Sequence, residues 1–264
     1  MTQPFDNAGD GLRAGPGRGS AAAGSRAAGG TGPGVPLSIW PGLPEPGGTR
    51  DGAPCGGPVT TAAARRVIDT FSVPGDLVAA GGGCSPAVAE AAAAAGRRVL
   101  ALVPDGTGRG YPLPVPYPVA RLRPGGPALV LAPGNPVTGQ AALAVAGCCS
   151  SGCCASPGTS GQDGQDAGLL FAACERVLRP GGVLAVITGP AAPGGTLTDT
   201  AGSVTAAARA AGLVYAQHIV LVRAEIDGDR LAPAAPIAGA DAPGGSQVHD
   251  DLLVLTKPGG EARS

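Results

Sequence analysis

Apolar positions along this chain fall into short blocks separated by glycine and proline, and the spacing inside each block names an element. From Thr60 the residues Ala64, Val67, Ile68 and Phe71 recur on one helical face, and Thr60-Thr61 offers hydroxyls that can cap the first turn. Pro74-Gly75 then turns the chain into an apolar strand from Asp76 to Ala80. Gly81-Gly82-Gly83-Cys84-Ser85-Pro86 follows, then an alanine-rich helix to about Ala95, a stop at Gly96 and a second strand over Val99–Val103. Strand, glycine loop, helix and strand form a βαβ unit of the kind that carries nucleotide sites.

Pro104 to Pro127 is rich in proline, which leaves room only for a short edge strand at Val119–Leu122. Ala128–Ala132 reads as a third strand, followed by Pro133-Gly134-Asn135-Pro136 and a loop through Asp166. In the stretch Gly168–Gly189, Leu169, Leu170, Ala173, Val177 and Leu178 take helical spacing, with Glu175, Arg176 and Arg179 on the other face. Pro180 is expected to end that helix, Gly181-Gly182 to turn the chain, and Val183–Thr188 to form a strand buried on both faces. A helix near Thr200–Ala211, a strand over Leu213–Ile226, a turn at Asp227-Gly228-Asp229 and a last strand over Asp251–Thr256 complete the series.

Composition narrows the picture at both ends. Glycine (47) and proline (28) make up more than a quarter of the 264 residues, and residues 1–36 show no periodicity, so they are expected to be a disordered arm. The folded domain is expected over 37–258, with a tail at 259–264. Aromatic residues are only 3% of the chain, so the core must be built from Leu, Val and Ala. The single tryptophan, Trp40, reads as an anchor for the arm or as a surface for stacking a substrate. Net charge is −1 and no Lys/Arg stripe exists, which speaks against tight nucleic-acid binding without excluding a local patch. No apolar run reaches membrane-spanning length and the first residues lack signal-peptide order, so the expected location is the cytoplasm, with no membrane partner. A protein partner is not legible.

Arg179-Pro180-Gly181-Gly182 between such a helix and strand resembles the late helix-to-strand turn of class I S-adenosylmethionine-dependent methyltransferases. That family implies an α/β fold, a doubly wound Rossmann-like sheet, mostly parallel with the last strand antiparallel. Val67 to Val78 further resembles the lead-in to the glycine motif of exocyclic-amino DNA methyltransferases, and His249 to Val254 suits that family's closing strand. The resemblance implies S-adenosylmethionine as cofactor, held by Ala80, Gly81, Gly82 and Gly83 and by a ribose-binding acid at Asp105. It puts the catalytic motif on Ala132–Asn135, or on Asn135-Pro136 onward, making Asn135 and Pro136 the candidate catalytic residues. The chain departs from the motif: Ala80 stands where the family has Asp, and no aromatic follows Pro136 to stack on a flipped base. The implied function is a methyltransferase-like protein with weakened or lost catalysis; the alternative is a non-catalytic scaffold on the same fold.

Other candidate chemistry stays open at this level. Cys148-Cys149-Ser150-Ser151-Gly152-Cys153-Cys154 has four thiols but adjacent pairs rather than two-residue spacing, and no histidine nearby, so no metal is expected. An inert loop or a reversible disulfide remains. Cys84 reads as a buried small residue or a reactive thiol at a helix start. His218 and His249 read as structural, because no serine or second histidine motif accompanies them.

Overall fold

The structure, a computed structural model, describes residues 36–41, 59–81, 85–104, 118–122, 129–131, 137–148, 163–189, 200–227, 230–232 and 249–259. The chain divides into two units, Met1–Gly34 and Val35–Ser264, and the described residues all belong to the second. Its elements are β1 (Leu37–Trp40), α1 (Thr61–Phe71), β2 (Leu77–Gly81), α2 (Ser85–Ala94), β3 (Arg98–Pro104), β4 (Val119–Leu122) and β5 (Leu129–Leu131). Then come β6 (Ala141–Cys148), α3 (Asp163–Val177), β7 (Leu178–Thr188), α4 (Thr200–Ala210), β8 (Val214–Val222), β9 (Glu225–Asp227), β10 (Arg230–Ala232) and β11 (His249–Thr256).

A nine-stranded sheet runs in the order β1-β8-β11-β7-β6-β2-β3-β4-β5. Within it β2, β3, β4, β6 and β7 are mutually parallel, while β11 inserts antiparallel between β7 and β8. Numbered by sequence, the seven inner strands follow the order 3-2-1-4-5-7-6 with the last one reversed, which is the doubly wound, Rossmann-like methyltransferase sheet. The flanking strands β1 and β5 extend it, parallel to β8 and antiparallel to β4 respectively.

Both faces of the sheet are covered. Val78, Ala80, Leu143, Val145, Ile187 and Leu252 pack under α1 and α2; Ala79, Ala144, Leu184, Val186, Leu253 and Leu255 pack under α3 and α4. Local chemistry sets the helix ends. Thr60 caps α1 by accepting the amide of Ala63 at 3.1 Å. Gly96, at φ 73°, closes α2, and the Gly96 and Arg97 amides satisfy the Ala93 and Ala92 carbonyls.

Three expectations are corrected. Pro180 does not end the helix: α3 stops at Val177 and β7 begins at Leu178, already paired with Ala141. The next β6–β7 pair is Leu143 with Val183, so Arg179–Gly182 bulge out of β7. Gly181 takes φ 74° there, and a Cβ on Gly182 would lie 2.8 Å from the Arg179 carbonyl oxygen and 3.0 Å from that of Ala141. Second, the strand in the fourth sheet position is Ala141–Cys148, inside the stretch expected to be a loop; Ala128–Ala132 is instead the outer strand β5, over Leu129–Leu131. All eight β6 residues are buried, so its alanines serve close helix approach on both faces. Third, the strand Leu213–Ile226 breaks at Arg223-Ala224 into β8 and β9, and β9 pairs with β10 across residues 228–229.

Candidate functional site

In an open α/β sheet, ligands settle beyond the carboxyl ends of the strands, where neighbouring connections depart to opposite faces. Here that point lies between β2 and β6. The β2 connection runs through α2 to β3 on one face, and the β6 connection runs through α3 to β7 on the other. Gly81, at the end of β2, pairs with Ala146, two residues before Cys148 closes β6.

Of the expected cofactor residues, Ala80 and Gly81 are described. Ala80 is fully buried, with its methyl among the α1/α2 core. Gly81 faces α3, and a Cβ built on it would come 2.9 Å from Cδ1 of Leu170. Its missing side chain therefore admits the helix, and a ligand reaches this end of β2 only from beyond the strand tip. Gly82 and Gly83 lie outside the described residues, in the three-residue step from Gly81 to the first residue of α2, Ser85. Asp105 is also outside them; it directly follows Pro104, which ends β3 at its carboxyl edge.

Asn135 and Pro136 lie outside the described residues as well; the strand they follow in sequence, β5, is the outermost of the sheet, and the fourth position belongs to β6. Leu131 pairs with Ala120 in the first half of β4, and Val137 leads into the start of β6. Leu131 is thus in register, through Ala120 and Leu102, with Gly81 at the carboxyl end of β2, but three strands out at the sheet edge, while Val137 stands at the amino end of β6. The fourth-position strand, β6, ends in Cys148, and Cys149 follows.

The carboxyl half of the sheet gathers polar groups that periodicity does not single out as a set. Cys148 is buried and disulfide-bonded, which replaces the expectation of an inert loop cysteine. It lies opposite Thr188, itself opposite Asp251, and both Thr188 and Asp250 are buried. Asp250 forms an ion pair with Arg223 on the α1/α2 side. Asp251 is bonded to His218 Nε2 at 2.9 Å, so His218 is tied into the sheet. Burial, and secondarily the Asp251 charge, hold the Tyr215 phenol above its usual pKa. The signal for these pairs is the register of β11, which only long-range pairing reveals. Among the described residues no group of three or more His, Cys, Asp or Glu could hold a metal ion, and no helix is long and apolar enough to cross a membrane.

No family model matches the chain, and no curated protein matches it. Solved structures do. An S-adenosylmethionine-dependent methyltransferase from Methanosarcina mazei is 11% identical, with 73% of this chain and 97% of that chain covered and a TM-score of 0.40. A geranyl diphosphate methyltransferase in complex with S-adenosylmethionine is 15% identical, with 75% and 85% covered and a TM-score of 0.42. A DNA modification methylase from Thermus thermophilus is 12% identical, with 87% and 56% covered and a TM-score of 0.30. These likenesses concern the course of the backbone.

Proposed function

We propose that this protein binds S-adenosylmethionine in the crevice between the carboxyl ends of β2 and β6. The observation that carries the reading is the switch point itself, with a strand–glycine–helix step on one lip and β6 on the other. The residues present fit the group in kind. The amides of the Gly81–Ser85 step and the start of α2 suit a carboxylate, and Asp105 follows β3 where an acid can accept ribose hydroxyls. When bound, the cofactor supplies an electrophilic methyl group. The chain's own part is to bind and orient it, with Leu170 shielding the α3 side of Gly81.

Transfer to an exocyclic amine is the activity this chain has lost on our reading. An acid or amide followed by two prolines and an aromatic would have to stand after the fourth strand. β6 is followed by Cys149-Ser150-Ser151-Gly152, and the next aromatic residue is Phe171, buried in α3. Kinship to DNA amino-methyltransferases then rests on the lead-in at Val67–Val78 and the closing strand, both parts of the scaffold. Nucleic acid as a partner gains nothing from a chain of net charge −1.

Calorimetric titration of the full chain with S-adenosylmethionine and S-adenosylhomocysteine tests the proposal. Saturable binding that weakens at least about tenfold in Asp105→Ala, the scale of one charge-assisted hydrogen bond, is expected. Absence of heat and of thermal stabilisation up to about 1 mM ligand would leave the non-catalytic scaffold as the reading.

A further inference from the structure

The contacts that hold β1 describe an acceptor surface in chemical detail. The strand adds in parallel to the edge of β8, with Leu37 to Trp40 opposite His218 to Leu221. The His218 amide donates to the Pro36 carbonyl at 3.0 Å, and Gln217 Nε2 donates to Ser38 Oγ at 2.7 Å. Trp40 stacks on Phe71 with ring centroids 6.2 Å apart, and the Arg66 guanidinium lies 4.8 Å above the Trp40 ring. The same Arg66 donates to the Pro41 carbonyl at 3.1 Å, closing the far end of the strand. Every one of these contacts lies between residues 36–41 on one side and α1 or β8 on the other. None depends on the chain that joins Pro41 to Val59.

We propose that this edge of β8, with its Arg66–Phe71 cage, is a strand-accepting surface whose partner is Leu37–Trp40 of a second copy, so that two chains associate by exchanging β1. Three features select that occupant. The surface is already complementary to this segment, so exchange needs no new recognition. Seventeen residues, 42–58, separate Pro41 from Val59. That stretch reaches at most about 60 Å when extended, against a radius of gyration of about 17 Å for a domain of this size, so a neighbour's edge is within reach. The third feature is what cis docking leaves uncovered. Leu37 and Ile39 stay 65% and 62% exposed on an edge strand that carries no charge and no bulge. Monomeric proteins guard such an edge with charge or a bulge, and this one, lacking both, stays open to a second copy.

Trp40 is the only tryptophan in the chain, which makes the test clean. The full-length Trp40→Phe and Trp40→Ala chains are tryptophan-free, so a peptide of sequence Pro-Leu-Ser-Ile-Trp-Pro supplies the sole indole signal. The peptide's emission is expected to shift to the blue and saturate on adding either variant. Further replacing Arg66 by Ala is expected to weaken binding about tenfold, as loss of a cation–π contact plus a hydrogen bond implies. The wild-type chain is expected to form dimers with rising concentration in sedimentation, whereas Trp40→Ala stays monomeric. No saturable shift with a variant that keeps its wild-type circular dichroism would overturn the proposal. So would a wild-type chain that remains monomeric at millimolar concentration, or dimers that form equally well in Trp40→Ala.

Discussion

Gly81 sits where a glycine is open to two explanations, close approach of a ligand or close approach of a helix, and the two separate under mutation. In Gly81→Ala the new methyl meets Leu170 Cδ1 at 2.9 Å, with Cγ and Cδ2 at 3.7 Å. The obstacle is the tip of a flexible side chain, so relief comes from a rotamer change in a site where Leu170 is only 3% exposed. Overpacking of that kind costs about 1–3 kcal/mol, and we expect the low end. Leu170→Ala alone removes a buried leucine and costs about 2–5 kcal/mol. In the double variant the Gly81→Ala methyl enters the vacated space, so its cost should fall to zero or change sign. The coupling is then about 1 kcal/mol or more in favour of the pair. Urea unfolding of the four chains, with equal slopes as the check on two-state behaviour, measures it directly. Equal cost of Gly81→Ala in both backgrounds would refute the packing account. An unchanged stability together with lost S-adenosylmethionine binding would return Gly81 to the ligand.

Two further outcomes follow from the same coordinates. Gly182→Ala places a methyl 2.8 and 3.0 Å from two backbone oxygens that cannot turn aside, whereas Gly181→Ala meets open space at φ 74°. The first should cost about 2–3 kcal/mol and the second about 1–2 kcal/mol, read as thermal shifts of about 2–4 °C per kcal/mol; the reverse order would contradict the bulge geometry. The Tyr215 phenol is held above the usual value near 10 by burial and then by Asp251. The folded state therefore keeps a proton that the unfolded state loses, so the stability contribution is intact below pH 10 and declines as pH rises toward the folded value. Unfolding free energies from pH 8 to 11 should show part of this alkaline decline disappearing in Tyr215→Phe; an identical slope in both chains would remove Tyr215 as its source.

The parts of the fold that were legible are those whose signal is local. Thr60 and the spacing Ala64, Val67, Ile68 define α1 within one turn, and Val183–Thr188 is β-branched enough to read as a buried strand. β6 was not legible because Ala-Ala-Leu-Ala-Val-Ala-Gly-Cys has the composition of a helix, and only its place at the centre of the sheet makes it a strand. The candidate site divides along the same line. Gly81 belongs to one contiguous βαβ unit, so its position at the carboxyl end of β2 could be read off. Asn135 and Pro136 depended on deciding which of two short apolar runs is the fourth strand, a question settled by pairing between distant segments. The Thr188–Asp251 and His218–Asp251 neighbours arise from strands 30 or more residues apart and leave no local trace.

The placement of β11 has a consequence for how the molecule comes into being. The strand of this sheet that comes latest in sequence, His249–Thr256, lies inside it, pairing with β7 on one side and β8 on the other. During synthesis from the amino end, β2, β3, β6 and β7 can assemble as they emerge, yet β8 has no strand joining it to them until His249–Thr256 has left the ribosome. β1, whose strand partner is β8, cannot complete its pairing before then, although its Trp40 also packs on α1. Such late, long-range closure makes for slow folding and a prolonged interval with two sheet edges unpaired. Nascent chains crowded on one message would meet during that interval, when the edge that receives β1 is still unfilled.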